Sequence, residues 1–336
     1  MSAGDAYARA GVSQRVADAA VAALLESLRQ IDPGRPSRQV LGPGHYASVV
    51  RIDDRTGIAL STDGVGTKLL VAEQLGRWDT VGIDCVAMNV NDVVCVGAEP
   101  IAMLDYIAVR AADPDVMREL GAGLRRGAEL AGIEIPGGEL AQIGEIVRGL
   151  DLTGACFGIV DLDAIVTGAA VEPGDSVIGL PSSGLHSNGY TLVRRALEGI
   201  PMRDDRLGRP LGDVLLEPTE IYVPAVLELL RSPVQVSALA HITSGGLGNL
   251  LRLEADAGYE IDDPLPAPPI FDLIRQHGSV SEAEMHDVFN MGCGFCCMVS
   301  ADDEDPALEL LRRHYPAAKR IGRATGQAGE LKRSVH

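Results

Sequence analysis

The segment Ser61 to Lys68, STDGVGTK, concentrates residue types suited to phosphate and metal chemistry. An apolar run delivers Asp63, glycines follow at Gly64 and Gly66, and Thr67 and Lys68 lead into a helical stretch. Glycines let backbone N–H groups approach phosphate oxygens, and a helix N-terminus favours anions. Asp63 is a hard oxygen donor for Mg2+, and Lys68 a point charge for phosphate. The spacing is not G-x-x-x-x-G-K-[ST], so an ordinary P-loop is not indicated. Lysine is rare here: of 29 basic residues only Lys68, Lys319 and Lys332 are lysines.

Four further segments carry candidate groups. In the helical run 80–97, Asp84 and Asn91 lie about 20° apart around the axis and Asp92 about 80° from Asp84. Valines and alanines surround them, so these carboxylates need partners. Mg2+ shared with Asp63 is one option; an N–H cap or an arginine is the other. Gly138 and Glu139 follow Gly137 in a GGE turn, either as a metal- or phosphate-side group or as a solvated loop. PSSGLHSNGY (181–190) gathers Ser182, Ser183, His186, Ser187 and Asn188 before a helix, suited to gripping a sugar phosphate or to capping. AHITSGGLGN (240–249) ends an apolar strand at His241 and continues through Thr243 and Ser244 into glycines. CGFCC (293–297) has CxxC spacing but lacks the further ligands that zinc requires. It reads as small apolar packing inside a strand.

The elements that must position these groups follow from periodicity and breakers. Helices are expected over 13–30 (with Ser13 as N-cap and a stripe of Val16, Ala19, Ala20, Ala23, Leu24 and Leu28), 68–75, 80–97, 114–132, 190–197, 220–231 and 305–315. Strands are expected over 57–63, 101–109, 133–139, 151–163, 171–180, 236–243 and 293–300, with a Gly-Pro-broken loop at 41–50. Strands and helices mix in two blocks that divide near 165–172, giving two α/β or α+β domains, 1–168 and 169–336.

Composition narrows the class. The chain has 336 residues, 46% of them hydrophobic and only 4% aromatic, so an aliphatic core must carry the fold. Net charge is −18, a field that repels nucleic-acid backbones. The polar opening MSAGDAYARAGVSQR offers no signal peptide, and no run of 18 apolar residues would span a membrane. Cytoplasmic location with reduced thiols is expected.

Together these segments resemble phosphoribosylformylglycinamidine cyclo-ligase, the aminoimidazole ribonucleotide synthetase family. YARAGV, STDGVGTK, GIDCVAMNVNDVVCVGAEP, LDYIAV, PGGE, GDSVIGLPSSGLHSNGYTLVRRAL, LLEPTEIYV, AHITSGGL and FNMGCGF occur in family order over nearly the whole chain. The resemblance implies a two-domain PurM-like fold: an N-terminal ATP-binding domain pairing into a dimeric β-barrel, and a C-terminal α/β sandwich. It implies a homodimer that uses ATP and Mg2+ to close formylglycinamidine ribonucleotide to 5-aminoimidazole ribonucleotide, through a phosphorylated formyl oxygen. By position, Asp63 and Asp92 become metal–ATP residues with Asp84 beside them. Gly64, Gly66, Thr67, Lys68, Gly138 and Glu139 become nucleotide-side residues. Ser183, His186, Ser187, Asn188 and Thr243 become substrate-side residues, and His241 a polarising group for the reacting amide.

The chain departs from the family pattern at GPGHYASVV (42–50), at Leu140 and Gln142 after the GGE turn, and at Ser244 where glycine is usual. The competing readings are an ATP-using fold relative such as thiamine-monophosphate kinase, and a catalytically weakened nucleotide-binding module.

Overall fold

A computed structural model describes residues 14–333. The YARAGV motif and Ser13 lie outside the described residues. In chain order the elements are α1 (Gln14–Leu28), β1 (Gln39–Leu41), β2 (Ser48–Arg51), β3 (Thr56–Gly64), a 3-10 turn (Gly66–Lys68), α2 (Leu69–Leu75), α3 (Asp79–Cys95), β4 (Glu99–Val109), α4 (Pro114–Ala131), β5 (Glu134–Gln142) and β6 (Leu150–Asp161). The second half continues with β7 (Ser176–Pro181), α5 (Tyr190–Ala196), α6 (Leu211–Leu215), α7 (Val223–Leu230), β8 (Val236–His241), a 3-10 segment (Gly246–Arg252), β9 (Gly258–Ile261), α8 (Pro269–Gly278), α9 (Glu282–Val288), β10 (Cys293–Val299), α10 (Glu304–His314), β11 (Lys319–Thr325) and β12 (Leu331–Arg333).

Two six-stranded sheets result. The first has order β1-β2-β3-β6-β4-β5, the second β12-β9-β11-β7-β10-β8. Pairing is antiparallel except for β4–β5, which α4 joins as a crossover, and β12–β9. The architecture is therefore mixed α/β with predominantly antiparallel sheets. Among the described residues the first sheet is open, with β1 and β5 at its edges, and no closed barrel forms within one copy.

Strand periodicity explains how each sheet is covered. β6 alternates strictly, Leu152, Gly154, Cys156, Gly158 and Val160 being buried and the residues between them more exposed, as in a sheet packed on one face. Its buried side meets α3. Every residue of β10 and all but the last of β7 are buried, the pattern of strands covered on both faces. The stripe on α1 does not join the core: Val16, Leu24 and Leu28 stay exposed.

Helix α3 is the spine of the molecule. It touches β3, β4 and β6 of the first sheet and β8 of the second. Val86, Val90, Val93 and Val94 on it are fully buried, each contributing about 1.5–3 kcal/mol by burial. Its opposite face presses α4 so closely that side chains are excluded. A Cβ on Gly123 would lie 2.1 Å from the Asp79 carbonyl oxygen, and one on Gly82 2.4 Å from the Leu124 nitrogen. α4 itself starts where the sequence requires. Asp113 caps it through Asp115 and Val116 N–H groups, Pro114 occupies the first turn, and Gly132 ends it in the left-handed region.

Candidate active site

β3, α3 and the end of β8 bring three of the expected residues together. β3 carries Asp63 on the buried side of the first sheet, and Asn89 of α3 clamps its backbone. Asn89 Oδ1 accepts the Asp63 N–H at 3.0 Å, and its amide donates to the Asp63 carbonyl at 3.1 Å. The Gly64 N–H donates to Asp63 Oδ1 at 2.7 Å. Three residues further along α3, Asp92 accepts from His241 Nδ1 at 2.9 Å. Burial first, and then the Asp92 charge, push the Asp63 carboxyl up to about 6, against the Gly64 N–H and His241. Two carboxylates thus oppose each other from neighbouring elements.

The register extends this row. Asp63 on β3 and Asp105 on β4 both pair with Gly154 of β6, so they lie on one face, two strands apart. A side chain at Gly154 would strike the Asn89 amide at 2.6 Å. Glycine there makes room for the clamp. Burial raises the Asp105 carboxyl above its ordinary range. Asp105 lies within the LDYIAV motif, but an acidic residue in an apolar strand gives no sign of which strand it will face.

His241 is fully buried, and Asn91 Nδ2 lies 3.5 Å from its Nε2. From this buried position it orients Asp92. His186 is also enclosed, at 1% exposure, with φ +60°. Neither of its ring nitrogens has a hydrogen-bond partner in the protein. Burial, then the His241 and Lys68 charges, hold its pKa well below the usual imidazole range, so the ring is neutral. Buried polar atoms require partners, and here a water or a substrate atom must supply them.

Lys68 and Asp84 overturn the expected assignment. Lys68 does not face the glycine loop. Its side chain is fully buried and donates to Asp84 Oδ1 at 2.9 Å, to the His186 carbonyl at 3.0 Å and to the Glu217 carbonyl at 2.6 Å, with Asp84 Oδ2 at 2.8 Å. Three acceptors match the three hydrogens of an ammonium and exceed those of a neutral amine. Burial lowers the Lys68 pKa and Asp84 opposes that shift. Asp84 also accepts from Thr219 N–H at 2.8 Å and Thr219 Oγ1 at 2.6 Å. Its Oδ1 takes all three of these hydrogen bonds, and Oδ2 has the Lys68 ammonium as its ion-pair partner, so the carboxylate is engaged by a protein cation. Asn91, from the same helix, fastens the next residues: its amide donates to the Glu220 carbonyl and its oxygen accepts the Tyr222 N–H. The pair is a tie between α3 and the segments 186–188 and 217–222.

Several expected substrate-side hydroxyls are fasteners as well. Ser187 Oγ donates to the Val65 carbonyl, Ser183 Oγ to the Pro218 carbonyl, and Thr243 Oγ1 to Asn249 Oδ1. Thr67 and Thr191 hydroxyls lie 3.1 Å apart. Asn188 accepts from Ser244 Oγ at 3.3 Å, which leaves its amide hydrogens for another partner. Ser244 is compatible with the turn because the positive φ values fall on Gly245 and Gly246. Gly138 sits beside Asp105 on the edge strand β5, whereas Glu139 pairs with Tyr106 and shares its outer face. Glu139 is not brought to the Asp63–Asp92 pair. Gln142 accepts the Ala112 N–H, and Leu140, paired with Ile107 at the edge of the sheet, is 47% exposed.

The loop 42–47 closes on the second half. Tyr46 hydroxyl donates to the Asn249 carbonyl, the Arg252 guanidinium stacks 4.5 Å from the Tyr46 ring, and His45 pairs with Glu254 at 2.9 Å. Asn249 also orders the turn after His241 through Thr243 and Ser244. Sequence reasoning missed Asp105, Thr219 and Asn249. The runs EPTE and GLGN hold two of them, without a signal of role.

Family models described as "AIR synthase related protein", N-terminal and C-terminal domains, match residues 44–160 and 172–332. The chain is 49% identical over 333 residues to a protein of Methanothermobacter thermautotrophicus, covering 97% of this chain and 96% of that one. It is 46% identical over 316 residues to one of Pyrococcus furiosus, covering 92% of each. Both carry the name phosphoribosylformylglycinamidine cyclo-ligase. Among solved structures, a thiamine-monophosphate kinase from Stenotrophomonas maltophilia aligns with TM-score 0.62 at 20% identity, covering 88% of this chain and 91% of that chain. The hydrogenase maturation protein HypE in complex with ATP aligns with TM-score 0.61 at 19% identity, covering 84% and 83%. At that identity the likeness is one of fold.

Proposed function

The chain belongs to the phosphoribosylformylglycinamidine cyclo-ligase family, and on that premise we propose how its own residues carry out the reaction. The enzyme is a ligase of purine biosynthesis: ring closure of formylglycinamidine ribonucleotide yields 5-aminoimidazole ribonucleotide, ADP and phosphate. An amide-type oxygen is a poor leaving group at neutral pH and phosphate a good one. ATP therefore phosphorylates the formyl oxygen, the amidine nitrogen attacks the formyl carbon, and the carbon–oxygen bond to phosphate breaks.

Such a reaction needs positioning and charge more than a covalent nucleophile. The observation that carries the assignment is the Asp63–Asp92 pair, set between the glycine loop 64–66 and the 186–188 segment. Among the described residues no group of three or more His, Cys, Asp or Glu could hold a metal by itself. Mg2+ is commonly held by one or two carboxylates plus nucleotide phosphates. Asp63 and Asp92 fit that share, since the Asp92 charge adds to the cost of ionising Asp63 until a cation offsets it. Bound there, Mg2+ would neutralise charge on the transferring phosphoryl group.

The contacts of each group support the remaining roles. Gly66 offers its backbone N–H to the nucleotide phosphates, with Thr67 beside it, while the Gly64 N–H holds the Asp63 carboxylate. His241 holds Asp92 in one orientation. His186, neutral and lacking internal partners, hydrogen-bonds the substrate or a water beside it, and Asn188 directs its amide hydrogens to the substrate. Ser183, Ser187 and Thr243 hold their loops and keep oxygen lone pairs available as acceptors. The 1–168 half binds ATP and forms the dimer, and 169–336 completes the cleft.

The dimer is supported by the outer face of the first sheet. Leu60, Ile101, Leu104, Tyr106 and Ile159 lie there, 38–48% exposed. A contiguous apolar sheet face marks an association surface, and a second copy of the same sheet would cover it and complete the barrel. We place the enzyme in the cytoplasm, where its six free cysteines stay reduced. No helix among the described residues is long and apolar enough to cross a membrane.

The test is a product assay. Purified enzyme given ATP, Mg2+ and formylglycinamidine ribonucleotide should release ADP and phosphate in step with the cyclised ribotide. ATP hydrolysis without ring formation, or transfer of phosphate to thiamine monophosphate, would overturn the assignment.

A further inference from the structure

The thiols of β10 do more than fill space. In an ordinary strand, residues three apart point to opposite faces. Here the pairing to β7 runs Cys293 with Pro181, Phe295 with Leu180 and Cys296 with Gly179, so Gly294 is an extra, bulged residue. The bulge returns Cys293 and Cys296 to the same face, two pairing steps apart, about 6.7 Å between Cα atoms at ordinary strand rise. That separation is within reach of a disulfide, near its long end. The sulfurs are already 3.6 Å apart. Gly179 opposite them gives them room: a Cβ there would lie 3.2 Å from the Cys293 sulfur.

Access and consequence are both visible. Cys293, only 3% exposed, lines a cavity of about 320 Å3 with Arg275, Met285, His286, Asn290 and Met291, which gives a small oxidant a route to this residue. Cys296 lies behind it, fully buried. The bond with Cys293, then burial, keep the Cys296 thiol protonated. The bulge between them also forms a wall of the active site. A Cβ on Gly294 would sit 2.0 Å from the Tyr222 hydroxyl and 2.5 Å from Cε1 of His186. Just upstream, Asn290 accepts from Ser182 Oγ and donates to the Gly184 carbonyl, fastening the loop that carries His186.

We propose that Cys293 and Cys296 are a reversible modification site, oxidised to a disulfide by small hydroperoxides, and that closing this bond displaces the Gly294 bulge against His186 and slows the enzyme. The steps balance. Hydrogen peroxide oxidises the Cys293 thiol to a sulfenic acid and is reduced to water. The Cys296 sulfur then attacks the Cys293 sulfur, forming the S–S bond. The sulfenic oxygen leaves as a second water, carrying the Cys296 proton. A dithiol reductant reverses the bond. Long Cα separation leaves the disulfide strained and so readily reduced.

The decline in activity rests on the cyclo-ligase reading; the covalent change does not, and the two are read separately. The full-length enzyme is treated with hydrogen peroxide, alkylated and analysed by intact mass and peptide mapping, and its rate is measured before treatment, after it, and after dithiothreitol. The expected result is loss of two hydrogens in a peptide bridging Cys293 and Cys296. A fall in kcat on the order of 10²-fold accompanies it, the scale of a misplacement near 1 Å, and dithiothreitol restores it. Cys293→Ala and Cys296→Ala should start at the wild-type rate and retain it after peroxide, with Cys296→Ala stopping at the sulfenic acid. Absence of the bridged peptide from folded, peroxide-treated enzyme overturns the site. A complete bridge with an unchanged rate, or an equal loss of rate in Cys293→Ala, overturns the link to His186.

Discussion

Replacing Lys68 by methionine separates two opposed views of the glycine loop. Methionine keeps the length of the side chain and removes the charge. In the structure it would leave Asp84 buried with no cation and two carbonyl groups, of His186 and Glu217, without a donor. Breaking one side of a buried ion pair costs about 3–5 kcal/mol. Thr219 still donates twice to Asp84, which places the loss toward the lower end, about 3 kcal/mol. Against a total stability on the order of 5–15 kcal/mol, that is large. Urea unfolding followed by circular dichroism should show a lower midpoint with unchanged slope. The Asp84→Asn, Lys68→Met double variant should be less destabilised than the sum of the two single variants, because neither leaves a buried charge behind. Ribotide KM should rise more than ATP KM, since the His186 carbonyl loses its anchor. Stability within about 0.5 kcal/mol of wild type, with ATP affinity alone reduced, would mean that Lys68 does face phosphate and would refute the reasoning.

Three further outcomes follow from the site. Asp63→Asn and Asp92→Asn should each reduce kcat by about 10²-fold or more while thermal unfolding stays near wild type; wild-type rates in both would remove the metal–nucleotide pair. Asp63, with its carboxyl at about 6, must be ionised to hold a cation, so MgATP binding should weaken as pH falls through about 6, with the limb moving to lower pH as Mg2+ is raised. In metal-free protein the sign for stability is opposite. The folded pKa lies above the ordinary value, so this group favours the folded state below pH 4 and loses that contribution as pH rises through about 6; chemical denaturation across that range without Mg2+ checks it. Leu104→Glu and Tyr106→Glu on the outer sheet face should shift sedimentation toward the monomer; an unchanged dimer would place the interface elsewhere.

Much of the first half is legible in the sequence because its signals are local. Alternation defines β3 and β6, and a capped, proline-started, glycine-ended pattern defines α4. The apolar run of α3 marks a buried helix. The second half is harder where elements are short. β12 has three residues and β9 four, and both take their identity from partners distant in sequence. α8 and α9 follow the proline-rich DDPLPAPP, which masks the restart of periodicity. At the site, residue types are legible and directions are not. The 3-10 turn rotates successive side chains by about 120°, which sends Lys68 inward while Thr67 meets Thr191. Spacing along α3 puts Asp84 and Asn91 on one side correctly, but only the chain from 217 to 222 shows that this side is a protein joint. Pairing across β3, β6 and β4, which aligns Asp63 with Asp105, has no counterpart in any local stretch.

The contact between α3 and α4 has a consequence for engineering. Because Gly82 and Gly123 let the two backbones touch, the helix bearing Asp92 cannot ratchet past its neighbour. Its carboxylate inherits its address from a seam on the far side of the helix. A mutational library confined to the cleft would leave this control untouched, whereas a single methyl at Gly123 would move the active carboxylate without altering any residue near the substrate.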